Sequence, residues 1–356
     1  MAKSNVKEYD VIIIGGGQSG LASAYYLRRS GFSYVILDEK EKPGGAWLNT
    51  WKSLKLFSPS EHSSLPGWMM PKATEEYPGR DHVIEYLKNY ENRYKLPVER
   101  PVEVQSIKKE GDTFYIATSQ GQYLSKVIVG ATGSWKKPHI PSYNNLSLYN
   151  GHQVHSAFYS DVEMYTGKKA LIVGGGNSGA QILAEVSKVA NTTWVTLNEP
   201  KFLPDDVDGR YLFEFATRQY KAKLEGKTIQ PAGSLGDVVM VESVKEARGR
   251  GVLGSRRPFD SFYEEGVIWS DGEKEVFDAV IWCTGFKPSL NIFESLVDLN
   301  DKGRPVTKGT KVVSTNGLWL VGYGSWTGFA SATLIGVGRT ARQTAKEVID
   351  YLSIQL

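Results

Sequence analysis

Two short apolar runs, each followed at once by three glycines, mark two similar stretches of the chain. The first run covers residues 11–14 and the second covers residues 170–173. Apolar runs of this length are typical of buried strands in a parallel sheet. The residues after the glycines, 19–29 and 177–190, have the composition and spacing of helices. The pattern therefore predicts the same order twice: a strand, a tight turn and a helix.

The glycines of both turns have the spacing G-x-G-x-x-G. Between a strand and a helix, the first glycine allows the tight turn and the second lets the backbone approach a pyrophosphate, while the third lets the helix pack on the strand. One copy would be weak evidence, because glycines also end strands for structural reasons, but two copies predict two dinucleotide sites. The predicted contacts are Gly15, Gly17, Gln18, Ser19 and Gly20 in the first loop and Gly174, Gly176, Asn177, Ser178 and Gly179 in the second.

An acidic pair follows the second predicted strand, at residues 33–37. Asp38 stands at the strand end and Glu39 comes next. An acid about twenty residues after the glycines suits the hydroxyl pair of an adenosine ribose. Both residues are candidates, and the position at the strand end favours Asp38.

The remaining pattern predicts an α/β fold with two Rossmann-like dinucleotide-binding domains. Period-two alternation predicts strands at 102–108, 114–119 and 122–129, and a helical pattern covers 81–94. Further strands are predicted at 192–197, 276–282 and 318–321, with a last helix at 330–352, whereas residues 200–262 give no clear pattern. The economical topology is a split FAD-binding domain, residues 1–165 and 285–356, with an NAD(P)-binding domain, residues 166–284, inserted in it.

Composition and charge exclude several other classes of protein. The chain has 356 residues, of which 41% are hydrophobic, and 42 basic residues stand against 39 acidic ones. This balance gives no reason to expect a nucleic-acid or membrane partner. The densest basic stretch, residues 245–257, is either a solvated loop or a clamp on a cofactor phosphate.

Cysteine and histidine usage narrows the chemistry further. The single cysteine, Cys283, cannot form an intramolecular disulfide, which fits a reducing compartment. Residues 1–10 lack the apolar core of a signal peptide, and no apolar run approaches the ~18 residues of a spanning helix, so that we expect a cytoplasmic protein. The five histidines lack metal-ligand spacing, and no metal is expected.

One stretch between the glycine loops resembles the identifying motif of a known family. Tyr149, Gly151, His155 and Tyr159 match the pattern [F/Y]-x-G-x-x-x-H-x-x-x-[Y/F] of the flavin-containing monooxygenases. The other family parts occur in order: both glycine loops, a Gly-Gly-x-Trp at 44–47 and a Thr-Gly-Phe at 284–286. The resemblance covers nearly the whole chain. The length of the chain is similar to that of the short bacterial branch, which includes members that use NADH as well as NADPH.

The resemblance implies FAD, a nicotinamide cofactor, O2 and a small-molecule substrate. It also implies that the N-terminus of the last helix faces the flavin, where its partial positive charge would stabilise the reduced ring. Further FAD contacts are then expected at Gly45, Ala46, Trp47, Val104, Ala131, Thr132, Gly133, Gly324, Ser325 and Leu334. Further NAD(P) contacts are expected at Leu197, Asn198, Cys283, Thr284 and Gly285.

The expected reaction needs a dry site rather than a catalytic triad. Oxygen activation by reduced flavin gives a C4a-(hydro)peroxyflavin, which must be kept from water, and the cofactor supplies the difficult chemistry. Either apolar active-site walls or ordinary core packing accounts for the aromatic residues Trp47, Trp51, Phe57, Trp68, Trp326 and Phe329. His155 could be a general base, but a structural role as a buried imidazole between the domains is the favoured interpretation.

Two departures from the family pattern affect the expected activity. Animal members have an asparagine that helps to hold the oxygenated flavin, and Phe57 or Ser58 stands near that position, so these two residues are the catalytic candidates. NADPH-specific relatives have an arginine after the strand that follows the second loop, where this chain has Leu197 and Asn198. We therefore expect weak discrimination between NADPH and NADH.

Four functions compete on this reading. The first is an NAD(P)H-dependent monooxygenase that oxygenates a sulfide, an amine or, in a Baeyer–Villiger reaction, a ketone. The alternative is an NAD(P)H oxidase that releases hydrogen peroxide. A disulfide reductase would need a cysteine pair, which one cysteine cannot supply, and a nucleotide-sensing protein would bind FAD that NADH does not reduce.

A homodimer is an open possibility.

Overall fold

The structure is a computed structural model, and it describes residues 6–207, 209–211, 218, 222 and 237–355. Part of the stretch 200–262, which has no clear pattern of elements, lies outside the described residues. In chain order the strands are β1 Lys7–Ile14, β2 Tyr34–Leu37, β3 Val98–Glu99, β4 Val104–Glu110, β5 Thr113–Thr118, β6 Gly121–Gly130, β7 His152–His155, β8 Lys169–Val173, β9 Asn191–Val195, β10 Ser255–Arg256, β11 Ser261–Tyr263, β12 Gly266–Ile268, β13 Lys274–Val276, β14 Ala279–Trp282, β15 Thr307–Lys308, β16 Lys311–Val312 and β17 Leu318–Leu320. The α-helices are α1 Gln18–Leu27, α2 Arg80–Tyr94, α3 Asn177–Val186, α4 Glu242–Gly249 and α5 Leu334–Ile354.

The first sheet is built around β1, whose last four residues are fully or almost fully buried. Its strand order is β15-β16-β17-β6-β1-β2-β3, with β4 and β5 continuing from β6, and β1 runs parallel to both β2 and β6. Because both faces of the central strands are covered, the apolar runs carry no alternation. Helices α1, α2 and α5 contribute to the core on one face.

The second sheet repeats this arrangement around β8. Its order is β10-β9-β8-β14-β7, and all neighbouring strands run parallel. A separate three-stranded sheet, β11 to β13, lies beside it. The parallel central strands of both sheets confirm the α/β class with two dinucleotide-binding folds.

The register makes the two units directly comparable. Ile14 pairs with Leu37 in the first sheet, and Val173 pairs with Val195 in the second. The N–H of the first glycine of each loop donates to the end of the neighbouring strand, from Gly15 to Leu37 and from Gly174 to Val195, at 2.8 Å in both cases. The two units therefore share one backbone plan.

Strand β7 pairs in a different sheet from the one that the predicted domain limits imply. It lies within the range 1–165, which was assigned to the FAD-binding domain, but it pairs with β14 in the second sheet. The sheet pairing therefore favours a boundary before His152, because the motif segment crosses between the sheets there. The limits at 165 and 285 stay a prediction in other respects.

The last helix begins four residues later than the pattern indicated. Ala330 has a φ of +57°, which is incompatible with a helix, and Thr333 caps α5 by accepting from the N–H of Gly336 at 3.1 Å. The predicted helices at 19–29 and 177–190 also end earlier, at Leu27 and Val186. Two helices begin one residue before the prediction, α1 at Gln18 and α2 at Arg80.

His155, at the end of β7, is buried and bonded through both ring nitrogens. Nδ1 accepts from the N–H of Ala157 at 3.1 Å, so that Nε2 carries the proton and donates to the carbonyl oxygen of Gly285 at 3.0 Å. Burial lowers the pKa of His155 and favours the neutral ring. The imidazole therefore ties the motif segment to the chain that leaves the second sheet.

We expect His155→Asn to lower the free energy of unfolding by about 1–2 kcal/mol, because one buried hydrogen bond is lost. The wild-type free energy of unfolding should also fall as the pH drops below about 6.5, because the unfolded ring takes up a proton more readily than the folded one. Urea unfolding at pH 7.5 and 5.5 measures both effects.

The matched control is His152→Asn on the same strand, whose side chain is exposed. It should leave the urea midpoint unchanged at pH 7.5. An equal loss in both variants, or a loss in the His155 variant that grows on acidification as in the wild type, would contradict the assignment.

Candidate functional site

A cavity of about 800 Å³ lies at the carboxyl ends of the central strands of the first sheet. In open parallel sheets this edge is where ligands bind. The loop between β1 and α1 forms its floor, and the segments after β2 and β6 form its sides. Of the residues predicted to bind FAD, those that line the cavity are Gly15, Gly17, Gln18, Ser19, Asp38, Glu39, Gly45, Ala46, Trp47, Val104, Ala131, Thr132 and Gly133.

The first glycine loop has no room for side chains on its packed side. Gly15 has a φ of +110°, and a Cβ there would collide with the carbonyl oxygen of Ala131 at the end of β6. A Cβ on Gly45 would lie 2.7 Å from the Cα of Gly17. The loop is thus fixed between two neighbouring backbones and presents its own backbone to the cavity.

Asp38 and Glu39 lie on the same wall but in different surroundings. Asp38 is 3% exposed and accepts from the Nε of Arg100 at 2.7 Å. Glu39 is half-buried and pairs with Lys136 at the cavity rim. Both sequence candidates therefore reach the cavity, and the buried one is held by a cation.

Gln18 connects three segments that surround the cavity. Its Nε2 donates to the carbonyl oxygen of Ala332 at 2.7 Å, and its Oε1 accepts from the indole N–H of Trp47 at 3.1 Å. The turn that carries Trp47 is held from below by Arg80, which donates to the carbonyls of Trp47 and Leu48 at 3.1 and 2.8 Å. The Trp47 ring is thereby fixed against the glycine loop.

A second polar network fixes the segment after β6. The hydroxyl of Thr132 donates to the carbonyl oxygen of Ser289 at 2.5 Å and lies 2.7 Å from the buried phenol of Tyr323. Burial raises the pKa of Tyr323 to about 12, so that the phenol stays neutral and serves as a structural donor and acceptor. The hydroxyl of Ser289, which also lines the cavity, has no partner in the described structure.

Four predicted FAD contacts do not line the cavity. Gly20 is buried beneath it, and a Cβ there would collide with the carbonyl oxygen of Gly15, so that it serves the packing of helix on strand. Gly324 bonds within its own turn, to Thr327 and Ser331. The remaining two are Ser325 and Leu334, and from the same stretch of the chain Gly322 and Ala332 line the cavity instead.

The catalytic candidates Phe57 and Ser58 also lie away from the cavity wall. The hydroxyl of Ser58 is buried and lies 2.8 Å from that of Ser63. The carbonyl of Phe57 accepts from the N–H of Gly209 at 2.7 Å, because the segment packs against the inserted unit. Among the aromatic candidates, the cavity is lined by Trp47 and Trp51, and the other four do not reach it.

The second glycine loop touches the same cavity through Ser178 at the start of α3. Gly174 has a φ of +130°, and a Cβ there would collide with the carbonyl oxygen of Cys283, while Gly179 packs in the same way on Gly174. Nothing lies within 4 Å of a Cβ placed on Gly176, which leaves the loop open above. The loops of both units therefore converge on one space.

The side chain of Asn177, a predicted NAD(P) contact, is bonded within the protein. Its side-chain amide donates to the carbonyl of Asp237 at 3.1 Å and accepts from the N–H of Val239 at 2.9 Å. Both polar atoms are thus engaged with the segment before α4. Asn177 consequently fixes that segment beside the loop.

The strand end in the second unit differs from its counterpart in the first. The shared register puts Thr196 where the first unit has Asp38, and the Thr196 hydroxyl lies 3.0 Å from that of Ser255. Leu197 is 78% exposed, and Asn198 is exposed beside it. The second unit therefore has a threonine in the place of Asp38, and the first acid after the strand is Glu199, which is exposed.

Cys283, Thr284 and Gly285 follow β14, next to the second loop. Burial raises the pKa of the Cys283 thiol to about 12, and the Thr284 hydroxyl bonds the carbonyl of His139. Neither group is a reactive nucleophile in this environment. Gly285 supplies the carbonyl that His155 binds.

The basic stretch at 245–257 is largely paired within the fold. Arg248 pairs with Asp205, and Arg250 donates to the carbonyl of Ala184 at 2.7 Å. Arg256 binds Glu275 at 2.9 Å and stacks on Trp269 at 3.6 Å. Arg257 is exposed at the carboxyl end of β10, next to Thr196. Of these four arginines, Arg257 alone is therefore available to bind a phosphate.

Several cavity residues were missed by sequence reasoning. Asn49, Thr50 and Leu54 line the cavity from the loop after Trp47, and the ion-paired Lys136 crosses its rim. Arg100, which directly follows β3, supports Asp38 from 62 residues away along the chain. No motif or periodicity marks these positions, because the tertiary fold alone brings them to the cavity.

Among the helices of the described ranges, none combines the length and the hydropathy needed to cross a membrane. The part of the chain that the structure describes also holds no group of three or more histidine, cysteine or acidic side chains arranged for a metal ion.

Comparisons with known proteins agree with this geometry. The pyridine nucleotide-disulphide oxidoreductase family matches residues 12–225. The solved flavin-containing monooxygenase from Stenotrophomonas maltophilia is 46% identical, with a TM-score of 0.90, over 98% of this chain and all of that one.

Curated relatives extend over similar lengths. An uncharacterized oxidoreductase CzcO of Bacillus velezensis is 32% identical over 96% of this chain and 99% of its own length. The probable indole-3-pyruvate monooxygenase YUCCA9 of Arabidopsis thaliana is 30% identical over 78% of this chain and 75% of its own length. Two dinucleotide folds that share one cavity, together with these matches, show that the chain belongs to the flavin-containing monooxygenase family, a group of flavin-dependent oxidoreductases.

Proposed function

We propose that the protein is an NAD(P)H-dependent monooxygenase that binds FAD in the cavity of the first unit and NAD(P)H on the second loop. Its substrate would be a small soft nucleophile, such as a sulfide or an amine, or a ketone. The observation that carries this proposal is that one cavity of about 800 Å³ is lined both by the first glycine loop and by Ser178 of the second. That arrangement would bring a nicotinamide to a flavin.

The cavity suits FAD in shape and chemistry. The glycine loop offers backbone where a pyrophosphate would lie, because Gly15 and Gly17 leave no side chain in the way. Asp38 offers a carboxylate for ribose hydroxyls, and the cavity volume falls in the range of cofactor pockets. The unpartnered hydroxyl of Ser289 on the wall also suits a polar ligand. When bound, FAD would pass electrons from NAD(P)H to O2.

The chain's own contribution would be binding, orientation and the exclusion of water. Trp47, Trp51 and Leu54 supply apolar walls, and Gln18 with Arg80 holds the Trp47 turn in place. Such walls would keep water and protons away from the flavin ring. Trp51 packs edge-to-face on Tyr159 at 6.2 Å, so that the motif tyrosine supports this wall from behind.

The roles predicted for Phe57 and Ser58 find no support in their position away from the cavity. The residues of that loop that reach it are Asn49, Thr50, Trp51 and Leu54. Their side chains are the better candidates for contact with a substrate or with the flavin face.

An NAD(P)H oxidase stays the alternative, because it differs from the monooxygenase only in its product, which is hydrogen peroxide and not an oxygenated substrate. We expect purified holoprotein, with NADPH and a thioether or cyclic ketone added, to consume O2 with the organic substrate oxygenated. Oxygen uptake, peroxide and product are measured together. Peroxide equal to the NADPH consumed, with every probe, would show an oxidase. FAD that stays oxidised under excess NADPH and NADH would show a nucleotide-binding protein without this activity.

We expect Gly16→Ala to weaken FAD binding about tenfold or more. A Cβ there would lie 2.5 Å from the Oδ2 of Asp38 and 2.8 Å from the Nη2 of Arg100, so that the loop or the ion pair must shift. Flavin fluorescence titration of the deflavinated full chain measures the Kd. The control Gly176→Ala, in the open part of the second loop, should keep the Kd for FAD. An unchanged Kd in the Gly16 variant would show that the loop is not the FAD site.

We expect kcat/KM for NADPH and NADH to differ by less than about 100-fold, which is less than about 3 kcal/mol. The physical reason is that Thr196, Leu197 and Asn198 supply neither an acid for the ribose nor a cation for the 2′-phosphate. Leu197→Arg should raise kcat/KM for NADPH about tenfold and leave NADH within about twofold, because it adds a charged partner for phosphate alone.

The matched control for this change is Leu197→Gln, which has a polar side chain without the charge. It should alter both coenzymes alike. A wild-type preference above 100-fold for either coenzyme would contradict weak discrimination.

A further inference from the structure

We propose that Arg100 is a positioning residue for the flavin cofactor, holding the Asp38 carboxylate in the orientation that binds the hydroxyls of the adenosine ribose. The inference rests on the proposed FAD site and adds a residue that no motif contains. Arg100 belongs to a buried ion cluster with Asp38 and Glu91, which joins three elements of the first unit.

The geometry of the cluster is tight. The Nε of Arg100 donates to the Oδ2 of Asp38 at 2.7 Å, and its Nη1 donates to the Oε1 of Glu91 at 2.7 Å. The exposed fractions of the side chains are 9% for Arg100, 5% for Asp38 and 14% for Glu91. Helix α2 thus fixes the guanidinium through Glu91, and the guanidinium fixes the carboxylate at the end of β2.

This arrangement leaves one side of Asp38 available to a ligand. Oδ2 is taken by Arg100, whereas the only bond at Oδ1 among the described residues is a long one, 3.4 Å, from the N–H of Lys40. Asp38 also lines the cavity. Because one of its oxygens is bonded to Arg100, the Asp38 carboxylate has a defined orientation. A defined orientation is what a carboxylate needs to bind a pair of hydroxyls in one fixed geometry.

The cluster lies directly under the glycine loop. The Nη2 of Arg100 has no hydrogen-bond partner in the described structure, and it lies 2.8 Å from the place where a Cβ of Gly16 would be. The middle position of the first loop is thus kept small by the ion pair beneath it. An unpartnered guanidinium nitrogen at this depth is a cost that fold stability alone does not explain.

The second unit shows that the backbone plan does not need this ion pair. Pairing of Leu37 with Glu99 in the first sheet corresponds to pairing of Val195 with Arg256 in the second. Arg257 is therefore the counterpart of Arg100, and both are followed by proline. Thr196 stands in the place of Asp38, and Arg257 is exposed without an ion pair to the described residues.

The buried ion pair occurs in the first unit and not in the second, although both units have the same fold. This comparison shows whether folding requires the pair. Strand, loop and helix form in the second unit without it, so that folding is not the reason for the pair. A buried ion pair is in any case weak as a source of stability, because desolvation of both charges offsets their attraction. The remaining role is to present Asp38 to the ligand.

The test compares FAD with an FAD analogue whose adenosine ribose lacks the 2′-hydroxyl, each titrated into deflavinated full-length protein. For Arg100→Met we expect the Kd for FAD to rise about 10- to 100-fold, in the range of a lost charged hydrogen bond, and the Kd for the deoxy analogue to rise less than about threefold. Asp38→Asn should show the same selectivity. Arg100→Lys, which retains the charge but not the fork, should give an intermediate loss for FAD.

Equal losses for FAD and the deoxy analogue would overturn the inference, because Arg100 would then support the sheet and not the ribose contact. The control Arg250→Met removes a partly buried arginine of the second unit and should keep both Kd values. If Arg100→Met does not fold, Arg100→Lys and Asp38→Asn give the same comparison.

The outcomes also separate this inference from the proposed function. Wild-type protein that binds no FAD would reject the FAD site itself, and the inference with it. Wild-type protein that binds FAD tightly but tolerates Arg100→Met without loss would reject the inference alone.

Discussion

The structure depends on the close approach of a glycine loop to the ends of two parallel strands. In each unit the N–H of the first glycine donates to the last residue of the neighbouring strand at 2.8 Å, and a Cβ at that glycine would collide with the strand on its other side. This constraint fixes the loop so that its backbone faces the cavity. The geometry of this main chain is therefore set by strand pairing.

The same backbone plan is given different chemistry in the two units. A buried acid ends β2, whereas a threonine ends the matching strand of the second unit, and the adjacent arginine is paired in the first and exposed in the second. In the proposed FAD site the paired acid would meet ribose hydroxyls, and in the second unit the threonine would not repel a phosphate. Two neighbouring residues thus distinguish sites that share one fold.

Family membership and the single cysteine together limit the chemistry. The family that matches residues 12–225 is described by disulfide reduction, but one cysteine cannot provide a redox pair. The cavity wall is apolar where Trp47 and Trp51 lie, and the polar side chains of Gln18 and Thr132 on it are bonded to other protein groups. Under the proposed function such a site would orient a cofactor and keep water away, for which no acid–base pair of the protein is needed.

The sequence alone determined what depends on local patterns. Buried parallel strands read as apolar runs, glycine spacing marks the turns, and the identifying motif locates His155, so that the fold class and most of the cavity floor followed directly. The tertiary structure decided which side chains meet from distant segments: Arg100 reaches Asp38 across 62 residues, and Phe57 and Ser58 turn toward the inserted unit. The limits of β7 and α5 also depended on it, because strand pairing and the backbone at Ala330 have no signal in local composition. Local patterns specify backbone conformation, whereas contacts between segments depend on how whole elements pack.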